Sequence, residues 1–472
     1  MPDDRERNRL TRRLTRYARV GANVSGVAAR MAGARLFGRA LGDGKNAVDL
    51  AAALGGLKGP LMKIAQMVAT VPDLLPPEYA AELQKLQAAA PPMGPAFVRR
   101  RMLAELGPDW EKRFRSFDST PAAAASLGQV HRAVGHDGRQ LAVKLQYPDM
   151  RSAVEADLSQ LGVLLAVQRR FSPEIDTTLI VKEMTERLRE ELDYQREAQN
   201  AHLYRTMLAD EASVRVPDVV DALTTERLLT MSWLDGKPML AYLDHSLADR
   251  NRIATAMFRA WWNPFARFGV IHGDPHLGNY TVFETEEAGR GSAGTGKSDS
   301  TSPAGLNLLD YGCIRIFPPR FVRGVVELYH GLRDGNRDQV VKAYKGWGFE
   351  GLTDETVDSL NIWARFIYAP LLDDRVRTIA DGVAPHAYGR REVWEVKQSL
   401  KPHGPIRIPR EFVLMDRAAI GLGSVMLHLK AELNFHRLFE DAIGDFDEQG
   451  LARRQAKALR TAGLEALIPA RE

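Results

Sequence analysis

Apolar residues recur at helical spacing near both ends of the chain, and the region between them contains short alternating segments. Residues 46–110 have the helical spacing, interrupted by the breaker run PDLLPP, and predict an α-helical extension. Three strand-like segments follow, FRSFDS, GQVHRAVG and RQLAVKLQYP, with a His-Asp-Gly-Arg turn between the second and the third. Together they predict a small antiparallel sheet.

The rest of the chain is mostly helical in pattern. A long helical section is expected over residues 151–208, followed by two strands in VPDVV and RLLTMSWLDG. Helical patterns beyond them are interrupted by VIHGDPHLGNYTVF and LNLLDYGCIRIF. Residues 284–305 lie between these two segments, are rich in Gly and Ser, and contain no large aliphatic or aromatic side chain. This composition predicts a disordered insertion.

Part of that insertion, GSAGTGKS at residues 291–298, matches the phosphate-binding loop pattern G-x-x-x-x-G-K-[ST]. Such a loop needs a buried strand before the first glycine and a helix that begins at the Lys-Ser, because backbone amides and the helix N-terminus converge on the phosphates. The flanking residues supply neither. We therefore interpret the match as a flexible loop and expect any nucleotide to bind elsewhere.

The amino-acid composition limits the classes of protein to which the chain can belong. The chain has 472 residues, 45% of them hydrophobic, which is enough for two or three packing units. Cys313 is the only cysteine, so no internal disulfide can form. No apolar run approaches the ~18 residues that span a bilayer, and no signal-peptide core follows the charged start MPDDRERNRL. A soluble, cytoplasmic protein is expected.

The positive charge is concentrated in an N-terminal arm, residues 1–45. This arm holds eleven Lys/Arg and four Asp/Glu, whereas the whole chain has a formal net charge of only +4. Its arginines alternate with apolar residues at helical spacing, as in a helix packed on its own domain or one resting peripherally on anionic lipid or an acidic protein face. Nucleic-acid binding is not favoured, because aromatic interleaving and a basic globular body are missing.

Five polar residues occur in the order that phosphoryl transfer requires. In HGDPHLGN, Asn279 follows Asp274 by five positions, and Asp310 follows the apolar segment LNLL. The chemistry needs one carboxylate near the acceptor oxygen and oxygen ligands that hold Mg²⁺ against the ATP phosphates. Upstream, Lys144 ends LAVK, where its ammonium could hold phosphates, and Glu197 in ELDYQREA is the candidate for positioning that lysine.

Each residue also has an ordinary explanation. A lysine after a strand, an aspartate that caps a turn and a glutamate on a solvated helix face are all common. His272, Asp274 and His276 alternate as in a metal cluster, but no further His/Cys set lies nearby, and in a kinase-type loop the histidine is usually a structural brace. The joint order, with apolar strands where a kinase needs them, favours the kinase-like interpretation.

Several motifs together give a specific resemblance. The alanine-rich segment PAAAASLGQVHRA stands where a kinase has its Gly-rich loop, and VKLQYP, ELDYQREAQN and HGDPHLGN follow it. Upstream lie LMKIAQM, LLPPEY and KLQ followed by PPM. This combination resembles the UbiB/AarF family of atypical kinases, whose members support ubiquinone biosynthesis, over roughly residues 55–320 with weaker support to about 440.

The resemblance implies an α+β, protein-kinase-like two-lobed fold. We expect a basic arm (1–45), a helical extension that carries the KIAQ motif (46–112), a small β-rich N-lobe (113–237), a larger helical C-lobe (238–445) and a helical tail (446–472). The disordered insertion would lie within the C-lobe.

The resemblance also assigns site residues. It implies that Lys144 pairs with Glu197, that Asn279 and Asp310 bind Mg²⁺, and that Asp274 is the catalytic aspartate. The loop over the ATP would be formed by Ala122, Ala123, Ala124, Ala125 and Ser126.

The family signature K-x-G-Q corresponds to Lys63 through Gln66, on an extension that in relatives folds over the active site. Glu191 and Asp193 match its E-x-D and are the expected partners of Lys63 in gating the site. Two departures stand out. Ala65 replaces the signature glycine, and its methyl could loosen a close helix-to-site approach. Tyr311 replaces the usual phenylalanine.

Peptide phosphorylation is disfavoured, because the sequence has neither the Ala-Pro-Glu motif nor an arginine in its His-Gly-Asp loop. ATPase activity, or phosphorylation of a small molecule such as a lipid or isoprenoid, is expected instead. Peripheral membrane contact is expected only through the basic N-terminal arm. Two alternatives stay open. One is a small-molecule phosphotransferase of the aminoglycoside/choline kinase type, and the other is a nucleotide-gated pseudokinase scaffold for a lipid-biosynthetic complex.

Overall fold

A computed structural model of the chain describes residues 93–125, 127–152, 154–155, 186, 188–286, 301–381 and 410–469. These residues fall into two compact units. Unit 1 contains the described residues up to Ala198 together with Val219–Trp233, and unit 2 contains Gln199–Asp218 and the described residues from Leu234 onward. The sequence predicted a single boundary at 237/238. The observed division is interleaved, because residues 199–218 pack within unit 2, where Asn200 and Tyr204 contact Tyr311.

Unit 1 is built on one four-stranded sheet in the order β1-β2-β3-β5, with every neighbouring pair antiparallel. Its strands are β1 Ser116–Ala125, β2 Gly128–Val134, β3 Gln140–Gln146 and β5 Leu228–Ser232. Among its described residues, the α-helices with both ends defined are α1 Pro95–Leu106 and α2 Tyr194–Met207, of which only the start of α2 belongs to this unit. The β2–β3 turn follows from its residues, because Gly138 takes the positive φ of 82° and Asp137 accepts from the Arg139 amide.

Helix α1 packs one apolar stripe against this sheet. Phe97, Val98 and Met102 are buried at spacings of one and four residues, together with residues of β3 and the segment before α2. A buried arginine on the same helix fixes its position: Arg101 donates through Nε to Gln146 O and through Nη2 to Tyr147 O. Arg101 also forms an ion pair with Glu105. The helix that precedes the sheet is therefore held by both apolar packing and main-chain hydrogen bonds.

Unit 2 is mainly helical and carries two small sheets. Its helices are the rest of α2, α3 Leu247–Phe268, α4 Pro319–Arg333, α5 Arg337–Gly346, α6 Asp354–Leu372, α7 Arg410–Leu429, α8 Phe435–Ile443 and α9 Glu448–Thr461. Its strands are β4 Val214–Arg215, β6 Lys237–Pro238, β7 Val270–His272, β8 Tyr280–Glu286, β9 Thr301–Leu308 and β10 Ile314–Ile316. The sheets have the orders β4-β9-β8-β6 and β10-β7. Searching the described residues finds no helix long and apolar enough to cross a membrane.

The core of unit 2 is centred on α3. This helix begins with Ser246, whose hydroxyl accepts from the Asp249 amide, and ends at Gly269 in the left-handed conformation. Trp261 and Phe265 on its buried face stack on each other, and Trp262 packs edge-on against Phe439. Strand β7 follows directly after the Gly269 cap, so the helix end determines where the HGDPH segment begins.

Two predicted elements differ from the structure. VPDVV, residues 216–220, is not a strand; Val219 makes one isolated bridge to Met231, because Pro217 has no amide to donate to a ladder. The insertion is also shorter than predicted. Residues 284–286 and 301–305 belong to the antiparallel β8–β9 hairpin, since main-chain pairing does not require apolar side chains. The GSAGTGKS segment lies outside the described residues, and the first described residues after it form β9.

Candidate active site

A buried ion pair lies in the centre of unit 1. Lys144 Nζ donates to Glu197 Oε1 at 2.6 Å, and the two residues are only 7% and 2% exposed. Lys144 is on the inner strand β3, opposite Val130 of β2 and Leu229 of β5. Glu197 is in the first turn of α2. The structure thus brings together the two residues that the sequence nominated as a pair.

Tyr194 also contacts this pair, and the sequence analysis missed it. The Lys144 ammonium lies 5.0 Å from the centroid of the Tyr194 ring, which is 1% exposed. A Cβ on Gly128 would lie 2.9 Å from the Tyr194 hydroxyl oxygen and would also collide with the Leu145 carbonyl. Gly128 therefore allows the tyrosine to approach β2, and the aromatic in ELDY was the available sequence signal.

The alanine-rich segment is not a loop along its described length. Ala123, Ala124 and Ala125 belong to β1 and pair with Val130, Gln129 and Gly128 of β2. Ala122 and its two successors are exposed, whereas Ser126 lies outside the described residues. The prediction of a loop over ATP is corrected to the end of a β-hairpin, because an antiparallel partner strand takes up the main-chain hydrogen bonds.

The E-x-D segment immediately precedes α2. Asp193 caps that helix, with Oδ1 accepting from the Arg196 amide at 3.0 Å. Glu191 is half-buried beside it. Gln146, from the VKLQYP motif, donates to Leu192 O at 3.0 Å and so ties β3 to this segment. Lys63 and Gln66, the predicted gating partners, lie outside the described residues, and their pairing with Glu191 or Asp193 stays a prediction.

In unit 2, His272 braces the loop after β7. Its Nδ1 accepts from the Asp274 amide at 3.3 Å, and its Nε2 lies 3.0 Å from the Asp310 carbonyl oxygen. A nitrogen that accepts cannot carry the proton, so the ring is the Nε2–H tautomer and donates to Asp310. Both ring nitrogens are thereby engaged with the main chain. These contacts agree with a structural role for His272 as a brace and not with the alternative that it belongs to a metal cluster.

Asp274 and Asn279 are joined through a short 3₁₀ turn, residues Leu277–Asn279. Asn279 Nδ2 donates to the Asp274 carbonyl oxygen at 3.0 Å, which directs its Oδ1 the other way. His276 is exposed, and its Nδ1 accepts from the Gly278 amide. The loop is therefore shaped by local hydrogen bonds, with the Asp274 and Asn279 side chains partly exposed.

Asp310 follows β9 and is also partly exposed. Its Oδ1 accepts from the Gly312 amide at 3.0 Å. Asn200 of α2 donates to Tyr311 O at 2.9 Å, and the buried Tyr311 donates its hydroxyl to Leu308 O. The tyrosine that replaces the usual phenylalanine thus satisfies its hydroxyl within its own turn. Asn200, from ELDYQREAQN, is a further residue whose contact the sequence analysis missed.

Asp274 and Asp310 both act electrostatically on the buried Tyr280. Burial, followed by the charges of Tyr204 and of both aspartates, raises the pKa of the fully buried Tyr280 well above its ordinary value. Hard oxygen donors are the ligands that Mg²⁺ prefers, and Asn279 Oδ1 and the Asp310 carboxylate supply them. The donor set therefore fits a magnesium ion. Among the described residues, no group of three His, Cys, Asp or Glu side chains is arranged to hold a metal ion by protein ligands alone.

Helix α7 supports this loop from the far end of the chain. An added Cβ on Gly421 would lie 2.8 Å from Cγ of Pro275, the residue after Asp274. The helix can approach the loop only because residue 421 has no side chain. No pattern in the sequence connects Gly421 with Pro275.

Comparison with known proteins identifies the family. A model of the ABC1 atypical kinase-like domain matches residues 85–344. The atypical kinase coq-8, mitochondrial, of Caenorhabditis elegans is 27% identical over 416 residues, which cover 86% of this chain and 52% of the relative. AarF domain-containing protein kinase 1 of Mus musculus is 31% identical over 277 residues, covering 58% of this chain and 50% of the relative. The chain spans about half the length of these curated relatives.

A solved structure gives the same result for the fold. The complex of Rv3197 with erythromycin from Mycobacterium tuberculosis is 26% identical, with a TM-score of 0.56, and covers 90% of this chain and 98% of that one. The fold is accordingly kinase-like, with an antiparallel-sheet unit and a helical unit. Since the family model covers more than half of its residues, the chain belongs to the ABC1 atypical kinase-like family, which is the UbiB/AarF family of the resemblance.

Proposed function

We propose that the protein binds Mg-ATP and acts as an ATPase or as a kinase of a small or lipid-like molecule. The observation that carries this proposal is the buried Lys144–Glu197 pair. Taking both charges out of water costs free energy that their attraction repays only in part, so stability alone gives little reason to keep such a pair. A lysine held in one orientation by a glutamate is the arrangement that kinases use for the ATP phosphates.

Each candidate residue then has a role. Lys144 would contact the phosphates, Glu197 would position Lys144, and Asn279 and Asp310 would hold Mg²⁺. When bound, Mg²⁺ would neutralise charge on the phosphates. Asp274 would accept the hydrogen bond of the acceptor hydroxyl and orient it. The exposed alanines at the end of β1 would pack over the nucleotide.

The chain after Asp310 supports a substrate other than a peptide. Residues 313–318 are all that separate Gly312 from helix α4, and three of them form β10, which pairs with β7. A protein kinase needs a longer activation segment at this point to hold its peptide. The short connection therefore favours a small molecule, or water, as the acceptor.

A role in isoprenoid-quinone (ubiquinone-like) or other lipid metabolism is the finer part of the proposal. It is supported by family membership and by the relative coq-8, which is a mitochondrial protein by its name. Contact with a membrane surface through the basic arm, residues 1–45, would bring the protein to such a substrate. That arm lies outside the described residues, and the contact stays a prediction from sequence.

Mg-ATP binding and turnover test the proposal. We would measure binding by calorimetry, and ATP hydrolysis with and without detergent and candidate lipids. Lys144→Ala should weaken binding or turnover at least about tenfold. The matched control is Lys112→Ala in the same unit, because Lys112 is exposed and pairs only locally with Asp109.

The outcomes distinguish the alternatives. A parent protein that does not bind Mg-ATP overturns the proposal. Tight binding without turnover under any condition replaces it with the pseudokinase scaffold. Phosphorylation of an aminoglycoside or of choline replaces it with the small-molecule phosphotransferase class.

A further inference from the structure

Two fully buried polar side chains on β2 have no part in the proposed chemistry. Gln129 and His131, in the motif S-L-G-Q-V-H, are both 0% exposed. Being two residues apart on a strand, they point to the same face of the sheet. Burial of polar groups at this depth is costly unless every hydrogen bond is made, so their partners show what they do.

Gln129 holds the main chain of Met93. Its Oε1 accepts from the Met93 amide at 2.8 Å, and its Nε2 donates to the Met93 carbonyl oxygen at 3.2 Å. The second proton of Nε2 points to His131 Nε2 at 2.9 Å. An amide with its oxygen at an N–H and its nitrogen at a C=O can take only one orientation.

His131 completes the arrangement as a hydrogen-bond acceptor. Because its Nε2 accepts from Gln129, the proton must be on Nδ1, which lies 2.9 Å from the Asp118 carbonyl oxygen and donates to it. The Phe117 ring stacks on the imidazole at 5.3 Å, and Val143 is its neighbour on β3. The charged group that faces the ring is the Asp118 carboxylate.

We propose that Gln129 and His131 form a latch that fixes Met93 to the alanine-rich hairpin and opens when His131 is protonated. Gln129 is the neighbour of Ala124 across the β1–β2 pair, so Met93 and the alanines are held to the same strand. Residues 1–92 join the described part of the chain at Met93. The latch therefore fixes the position of Met93 relative to the alanine-rich hairpin, and the consequence of this for ATP rests on the proposed function.

Protonation opens the latch because it replaces an acceptor by a donor. An N–H at His131 Nε2 would face the N–H of Gln129, and two donors repel. Rotating the amide by 180° would remove that conflict but would turn the Gln129 NH₂ group toward the Met93 amide and its oxygen toward the Met93 carbonyl. Without the rotation the contact to His131 is lost, and with it both contacts to Met93 are lost. Burial lowers the pKa of His131, against the opposing effects of the Asp118 carbonyl and carboxylate and the Thr120 main chain.

Hydrogen exchange of the Met93 amide in the full-length chain tests the latch. Gln129→Met keeps the length of the side chain and removes all three contacts, so exchange of the Met93 amide should accelerate about tenfold. His131→Phe keeps the ring and removes the acceptor, and should have a smaller effect. His136→Phe is the control, because His136 is exposed and contacts the Lys112 carbonyl instead.

Two further measurements keep the proposal falsifiable if Gln129→Met does not fold. In the parent, protection of the Met93 amide, corrected for intrinsic exchange, should fall as the pH drops below the ordinary histidine value of 6.5, and in His131→Phe it should not. Nitrogen-15 spectra of histidine-labelled parent protein should show His131 as the Nδ1–H tautomer at neutral pH. An Nε2–H tautomer, or unchanged exchange in a folded Gln129→Met variant, would overturn the latch.

The failure of the latch is distinct from failure of the proposed function. The Met93 amide and the His131 tautomer are read without nucleotide, whereas the proposed function fails if the parent does not bind Mg-ATP. If both hold, Gln129→Met should change the KM for ATP more than kcat, since it would act through the position of the hairpin. A KM equal to the parent's would overturn the link between latch and nucleotide.

Discussion

The two groups of candidate residues are held in opposite ways. In unit 1, Lys144 and Glu197 are buried, belong to a strand and a helix, and neutralise each other at 2.6 Å. In unit 2, Asp274, Asn279 and Asp310 are partly exposed, lie in loops and a 3₁₀ turn, and are oriented by main-chain hydrogen bonds. Two of these three side chains carry the same charge.

The difference shows which of the two groups of candidate residues depends on a ligand. The buried pair is complete in itself, and the fold must bear the cost of its desolvation. The carboxylates of Asp274 and Asp310 are partly exposed, and their oxygens are the kind of ligand that Mg²⁺ prefers, so a bound cation would gain from their charge. Loss of the Glu197 charge should therefore lower the stability of unit 1, whereas loss of a carboxylate in unit 2 should mainly weaken ligand binding.

The largest effect on stability is expected from removing Glu197. Glu197→Leu removes the carboxylate that lies 2.6 Å from the buried Lys144 ammonium, and we expect the free energy of unfolding to fall by about 3 kcal/mol. The double variant Lys144→Met, Glu197→Leu should recover much of this loss, because it leaves no buried charge. Urea denaturation measures both, with the exposed Glu111→Gln as control. A single variant as stable as the parent would contradict the account.

Removing a charge from unit 2 should leave the stability nearly unchanged and lower the turnover. Asp310→Asn keeps the shape of the side chain and its acceptor for the Gly312 amide, so the urea midpoint should stay near that of the parent. Mg-ATP turnover should fall about 100-fold, since changes even outside the direct metal ligands typically cost 10- to 100-fold. Asp334→Asn, at an exposed helix end in the same unit, is the control. Equal turnover in the parent and Asp310→Asn would remove Asp310 from the site.

As the pH is lowered, the two units should begin to lose stability at different pH values. His131 in unit 1 has a lowered pKa, so the unfolded chain binds its proton first and stability falls as pH drops below the ordinary value of 6.5. In unit 2, burial raises the pKa of Glu440, but hydrogen bonds from Tyr329 and Arg333 outweigh it and lower the pKa overall. Its contribution is present above 4.5 and is lost as pH falls through the lowered value.

Peptide-resolved hydrogen exchange between pH 7.5 and 4 would measure both onsets. Unit 1 peptides should lose protection at the higher pH, and His131→Phe should remove that early loss. Onsets at the same pH in both units would show that neither group controls its unit's response to acid.

The smallest effect is expected in the hairpin of unit 2. Deleting residues 287–300, with a short Gly-containing turn in their place, removes Lys297 and the GSAGTGKS match but leaves β8 and β9 intact. Mg-ATP affinity should stay within about twofold of the parent, because surface loops tolerate changes in length at little cost. Calorimetry with ATP is the measurement. A large loss of affinity would restore the phosphate-binding loop interpretation.

The order of polar residues and the strands near them were predictable from sequence. GQVHRAV and QLAVKLQ have the apolar content and bounding turn residues that identify strands locally, and both segments form β2 and β3. The prediction that VPDVV forms a strand was wrong, because a local pattern does not show whether a segment lies at a sheet edge where a proline such as Pro217 would be tolerated. The alanine segment was assigned to a loop because the resemblance places it where a kinase has its Gly-rich loop. Alanine has little strand preference, but pairing with β2 overrides that preference.

The sequence by itself determined the family, the kinase-like fold and the identity of the polar residues, since these depend on the order of residue types along the chain. Only the tertiary structure decided that Gln129 holds Met93 and that Gly421 admits Pro275. These contacts join positions 36 and 146 residues apart along the chain. Their existence depends on backbone separations and side-chain directions that are fixed only when strands and helices pack, and no local pattern of residues carries that information.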